Sequence, residues 1–146
     1  MLKSEQHNIT GNTQWYVSTY SKEIYDALSN LKIEQAKSGH EHIPPIDKKY
    51  YRSFIRGLWD GDGFIRENLK GIGLVGSYEC MNFVQQHFKN ILNVKPLKIY
   101  EHYNTFKIEY CSTKTAIPKI ISYLYQNGDT ALDRKMELAN QIKKIC

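Results

Sequence analysis

The chain is poor in cysteine. Its three thiols, Cys80, Cys111 and Cys146, lie far apart and form no Cys-x-x-Cys pair. That spacing speaks against a zinc ribbon, and the odd count against a disulfide framework, so the expected setting is a reducing one. Proline is scarce too, with four residues, two of them adjacent at Pro44-Pro45. Arginine supplies 4 of the 20 basic residues and lysine the other 16, which with 11 tyrosines suggests an AT-rich coding sequence and says nothing of mechanism. Long apolar runs are missing: none approaches the ~18 residues a membrane span needs. The N-terminal MLKSEQHNITGNTQ has no apolar core of the secretory kind. The expected location is the cytoplasm of a prokaryotic or phage-infected cell, or an organelle, with neither secretion nor a membrane partner.

What is present is enough for a core. The 146 residues are 41% hydrophobic, which fits one domain or two small repeats. A net charge of +5 is a mild bias towards a polyanionic partner.

Residues 1–13 are polar and expected to be frayed or turn-like. Alternation in 15–20 predicts a strand with Trp15, Val17 and Thr19 on one face. Ser21 is a suitable N-cap for a helix over 22–31, with Ile24, Leu28 and Leu31 as its apolar stripe. Residues 34–48 hold Gly39, Pro44 and Pro45 and read as a linker. Helical spacing of Tyr51, Phe54, Ile55 and Leu58 predicts a helix from about 49 to 61, which Asp60-Gly61-Asp62-Gly63 ends. Strands are expected at 64–68 and 71–76, then a helix at 78–92 with Phe83, Phe88 and Ile91 inward. Two more strands are expected at 96–100 and 106–110, then helices at 115–125 and from 129 or 130 to 144. From residue 49 the order is αββαββαα, an α+β class with a four-stranded antiparallel sheet covered on one face.

The chain also carries an internal similarity. Trp15/Val17/Thr19 matches Phe106/Ile108/Tyr110 at an offset of 91, and Ile24/Leu28/Leu31 matches Ile117/Ile121/Leu124 at an offset of 93. Strand–helix units are common, so chance similarity stays open. If the repeat is real, the first copy is incomplete. The expected organisation is then the tail of one repeat plus linker at 1–45 and a complete repeat at 46–146.

The segment Phe54-Ile55-Arg56-Gly57-Leu58-Trp59-Asp60-Gly61-Asp62-Gly63 resembles the signature of the LAGLIDADG homing endonucleases. Gly57, Leu58, Asp60, Asp62 and Gly63 match, Gly61 replaces the usual alanine, and Arg56 and Trp59 depart from the small and aliphatic residues of the pattern. The resemblance implies an αββαββα repeat whose antiparallel sheet binds DNA. It also implies metal-dependent hydrolysis of double-stranded DNA, as in the intron homing of mobile elements. Two such helices pack through small residues, by logic parallel to that of close membrane-helix pairs. Each then places an acid at the scissile phosphate, where a hard divalent cation such as Mg²⁺ activates water. On this resemblance Asp62 is the catalytic, metal-binding acid, and Gly57, Gly61 and Asp60 belong to the helix interface. Lys135 is the active-site cation that polarises the phosphate or holds water. Lys37 stands in the corresponding turn of the first copy. Read without the resemblance, Asp-Gly-Asp-Gly is a helix end with solvated acids. A calcium loop is excluded, since Phe64 occupies a ligand position, Ile65 stands where the pattern has its glycine and Gly71 where a glutamate is required.

Alternation across an open sheet face selects the DNA-facing residues: Arg66, Asn68 and Lys70 from the first hairpin, and Lys98, Tyr100, His102, Lys107 and Glu109 from the second. Lys and Arg suit phosphates or guanine, Asn68 adenine, and Glu109 cytosine. For the strand at 71–76 the projecting set is either Ile72 and Leu74 or Gly71, Gly73 and Val75. Ser77 is either a polar DNA contact or the N-cap of its helix. His40-Glu41-His42 has no third ligand at a suitable spacing and reads as solvated linker. Tyr50, Tyr51 and Trp59 read as core or interface aromatics.

One chain supplies a single such acid. Either two copies pair, or a separate N-terminal chain carrying its own LAGLIDADG helix supplies the second, or the missing half is lost and the protein no longer cuts. The family also contains RNA-binding maturases that assist intron splicing, and a non-cleaving DNA-binding protein of the same fold is a third reading.

Overall fold

The computed structural model describes residues 3–9, 12–18, 20–31, 33, 40–112, 114–126 and 128–145. The chain divides into two compact units, 1–34 and 35–146. The boundary lies eleven residues before the expected one, at 34/35 rather than 45/46, because 41–43 belong to the second unit. There Glu41 O accepts from Ser77 Oγ at 2.6 Å, and Ile43 N donates to Glu79 Oε1 at 3.0 Å.

The first unit is a hairpin of β1 (Lys3–Ile9) and β2 (Asn12–Ser18), followed by α1 (Lys22–Asn30). The expectation that 1–13 is frayed is therefore corrected. KSEQHNI has no apolar alternation to announce a strand, and its partner is recognised through a backbone ladder from Lys3↔Ser18 to Ile9↔Asn12. Ser21 caps α1 by accepting from Ile24 N at 3.3 Å. The expected common face of Trp15, Val17 and Thr19 lies outside the described residues, as does Lys37.

In the second unit a 3₁₀ turn (Lys48–Tyr50) leads into α2 (Tyr51–Asp62), β3 (Gly63–Ile65), β4 (Ile72–Gly76) and α3 (Tyr78–Leu92). β5 (Tyr100–His102), β6 (Thr105–Tyr110), α4 (Ala116–Leu124) and α5 (Asp133–Ile145) follow. The four strands form an open antiparallel sheet in the order β3-β4-β6-β5. With five helices among the described residues the architecture is α+β. Ile55 and Trp59 of α2, Val84 and Phe88 of α3, Ile117, Ile121 and Leu124 of α4 and Ile142 of α5 are fully buried with Ile72, Leu74 and Ile108 of the sheet. No helix among the described residues is long and apolar enough to cross a membrane.

Several boundaries move. The strand expected at 64–68 ends at Ile65, because Arg66–Lys70 turns: Leu69 adopts φ 59° and Asn68 Oδ1 accepts from Lys70 N at 3.0 Å. The strand expected at 96–100 begins at Tyr100, where pairing with Lys107 starts. Ile91 of α3 faces outward, while Met81, Val84 and Phe88 carry the buried face. The last helix starts at Asp133, since Asp129, Thr130 and Leu132 are drawn into contacts with side chains of α2. There Asp129 bonds Arg52 and lies 2.9 Å from Arg56 Nη1, and Thr130 O accepts from Arg56 Nε at 3.1 Å.

Candidate functional site

The end of α2 separates its two acids. Residues two apart on a helix point to different sides. Asp60 turns inward: Oδ1 accepts from Tyr125 Oη at 2.9 Å and Oδ2 from Leu132 N at 3.2 Å. Both of its oxygens are thus occupied within this chain in anchoring the α4–α5 connection. Asp62, the last helical residue, is exposed.

Ser53, Gly57 and Gly61 line the opposite side of α2 at intervals of four, all exposed. A Cβ built on Gly57 or Gly61 meets nothing within 4 Å. Glycine inside a helix costs about 1 kcal/mol relative to alanine, and nothing in this chain's own packing requires that cost. Gly63 is different. It follows the last residue of α2, as expected of the segment that ends the helix, but its φ is −82°, so backbone freedom is not its purpose. A Cβ there would run into Trp59, 2.6 Å from Cδ1.

Lys135 lies where sequence reasoning did not put it. The side chain enters from α5 and is 1% exposed. Its ammonium donates to Trp59 O, to Asp60 O at 2.8 Å and to Gly63 O at 2.6 Å. Three donors meet three carbonyls at the negative end of the α2 dipole, closing a helix terminus that lacks intrahelical partners. Burial, aided by Arg134, holds this lysine below its ordinary range, while Asp60 and Asp62 oppose the shift. In this chain Lys135 thus holds the turn that carries Asp62.

Sheet register decides which side chains face away from the helices. Phe64, Gly73 and Glu109 form one row, and Val75, Lys107 and Tyr100 the next. Of the two sets expected for 71–76 the open one is therefore Gly71, just before β4, with Gly73 and Val75, while Ile72 and Leu74 are in the core. The two glycines are sites of close approach. A Cβ on Gly73 would collide with the Phe64 ring, and one on Gly71 would lie 2.7 Å from Arg66 Cδ. Across this face Arg66 Nε donates to Glu109 Oε1, and Lys107 Nζ lies 2.8 Å from Glu109 Oε2. The arginine, with help from Lys107, holds the Glu109 carboxyl down at about 2. Lys107 also sits 5.1 Å above the Phe64 ring. Lys98 lies over Tyr100 at the outer strand, and both are exposed with His102. Asn68 and Lys70 sit in the exposed β3–β4 turn, where the Asn68 carbonyl is taken up by Lys70 N.

Ser77 is buried, caps α3 by accepting from Cys80 N at 3.1 Å, and donates to Glu41 O. Of its two expected roles the N-cap is the one observed, and the hydroxyl, committed inside the protein, is not on the proposed DNA surface. His42 is exposed, as expected, and also pairs with Glu79 at 2.8 Å. Among the described residues no group of three or more His, Cys, Asp or Glu is placed to hold a metal ion. A half-open cavity of about 440 Å³ between the ends of α3 and α4 touches none of the candidate residues except Glu109.

Sequence reasoning missed Phe64 and the roles of Gly71 and Gly73. The signal was there: two glycines in alternate positions of a strand mark a close approach. It also missed the pairing of Arg52 and Arg56 with Asp129, which no spacing could reveal.

No protein-family model, curated protein or solved structure matches the chain.

Proposed function

We propose that this chain is a DNA-cleaving protein of the LAGLIDADG kind that works only with a second acid-bearing helix. One observation carries the reading. A helix side made bare by Gly57 and Gly61 runs down to an exposed carboxylate, Asp62, at the point where the chain enters an open sheet. A second helix, from another copy or a separate chain, can approach that side and bring its own acid beside Asp62. Carboxylate oxygens are the hard ligands Mg²⁺ takes, and such a cation would lower the pKa of attacking water and stabilise the leaving oxygen. Asp62 is one such ligand; the reading assigns the others to the second helix, the phosphate and water. Lys107 and Arg66 on the open sheet face, with Lys98, Tyr100 and His102 at its edge, are the proposed DNA surface.

The first unit fits the same reading as the tail of a preceding repeat. Its hairpin and helix repeat the order β5–β6–α4. Ile24 and Leu28 of α1 are 45% and 41% exposed, whereas their counterparts Ile117 and Ile121 are fully buried.

The test combines mass in solution at micromolar concentration with Mg²⁺-dependent cleavage of duplex DNA libraries. Association, and cleavage that disappears in Asp62→Asn, supports the reading. A strict monomer that never cuts, alone or with a candidate partner chain, overturns it. The burial of Lys135 favours a second reading, a DNA-binding protein of this fold that does not cleave, because that cation is not offered to a phosphate. Duplex binding without metal-dependent cleavage selects it.

A further inference from the structure

The β3–β4 turn and the open sheet face hold an arginine in an unusual way. Arg66 N donates to Gly71 O at 2.8 Å, which sets the two residues opposite each other past the end of β3. The arginine stem then lies in the volume that a side chain on Gly71 would occupy: a Cβ there would be 2.7 Å from Arg66 Cδ, 2.9 Å from Nε and 3.0 Å from Glu109 Oε1. The side chain thus crosses β4 at a missing side chain and reaches Glu109 on β6. Its Nε is anchored there, and Lys107 holds the other oxygen of the same carboxylate. The two terminal nitrogens have no partner among the described residues, and the side chain is 52% exposed. An arginine tethered through Nε has its remaining fork aimed and loses little rotamer freedom on binding.

We infer that Arg66, laid flat over Gly71 and braced by Glu109, reads a guanine edge in the major groove of duplex DNA. The inference rests on the DNA-binding part of the reading above and assigns specificity within it. Guanine presents two acceptors, O6 and N7, to a two-pronged donor, whereas adenine replaces one of them with a donor. Glu109 is then a positioning residue, not a reader of cytosine. A loose arginine would make phosphate contacts that carry no sequence information.

The experiment selects binding sites from a randomised duplex library. It then measures the affinity of the enriched duplex against versions carrying adenine or 7-deazaguanine at single guanines. The parent protein should lose about tenfold at one guanine with either replacement. Arg66→Met should abolish that discrimination and weaken binding to unrelated duplexes far less than to the enriched one. Gly71→Ala and Glu109→Ala should each blunt it, although neither removes an atom of the arginine. Circular dichroism of each variant establishes that it is folded. Equal weakening on all duplexes in Arg66→Met, with the guanine discrimination intact, would mark a phosphate contact and overturn the inference, as would full discrimination in a folded Gly71→Ala protein. Sequence-independent duplex binding would overturn it while leaving the DNA-binding reading standing. Absence of duplex binding, or enrichment from an RNA library alone, would overturn both.

Discussion

Replacing Lys135 with methionine separates two accounts of that residue. As a helix terminator, Lys135 makes three charged hydrogen bonds to backbone carbonyls in a buried setting. Hydrogen bonds to charged groups contribute about 1.5–3 kcal/mol each, so the gross interaction is about 4–9 kcal/mol. Burying the ammonium costs several kcal/mol in return. Methionine keeps most of the aliphatic volume but leaves the carbonyls of Trp59, Asp60 and Gly63 to find water. The expected net loss is about 3 kcal/mol. For 146 residues the unfolding entropy near the midpoint is about 0.3 kcal/mol per kelvin, so Tm should fall by about 10 °C. Urea titration followed by tryptophan fluorescence is the suitable assay, since Trp59 is buried beside the lysine's carbonyl partners. A solvent-facing catalytic lysine would behave otherwise: stability would stay within about 0.5 kcal/mol and cleavage alone would vanish. A Lys135→Met protein as stable as its parent would refute the capping account.

Four further outcomes follow from the same geometry. Gly57→Ala and Gly61→Ala should each raise the stability of the isolated chain by about 0.5–1 kcal/mol, because a methyl there meets nothing. Gly63→Ala and Gly73→Ala should lower it by about 2 kcal/mol, because theirs collide; thermal melts of all four would show the split. Bulkier Gly61→Leu should leave the melt intact and abolish any association seen by sedimentation. Glu109 titrates at about 2 in the folded chain. A lowered carboxyl pKa stabilises above the ordinary value and fades as pH falls towards the folded one, so Glu109→Gln should cost about 1 kcal/mol at pH 7 and almost nothing near pH 2. Asp129→Asn should cost about 2 kcal/mol by stranding Arg52 and Arg56, with equilibrium unfolding as the readout.

Much of the chain was legible residue by residue. Helix periodicity located α2 through α5 to within a few residues, because an amphipathic stripe is written at fixed spacing. The alternation of Phe106, Ile108 and Tyr110 found β6 for the same reason. The exposed end at Asp62 and the bare side at Gly57 and Gly61 also follow from spacing. β1 was not legible because Lys3–Ile9 shows no apolar alternation, and its place is given by its pairing with β2.

By itself, then, the sequence determined the order and kind of most elements, the position of the acid pair at a helix end, and the alternation of side chains along β6. These depend on neighbours within a few residues, where backbone geometry sets who shares a side. Tertiary structure alone decided that Asp60 is consumed by Tyr125 and Leu132, and that Lys135 closes the α2 terminus instead of facing outward. It also decided that Gly71 makes room for an arginine bound to Glu109. Those roles join residues about forty to seventy positions apart, and a charged or polar group takes its role from whichever partner the folded chain brings within hydrogen-bond reach.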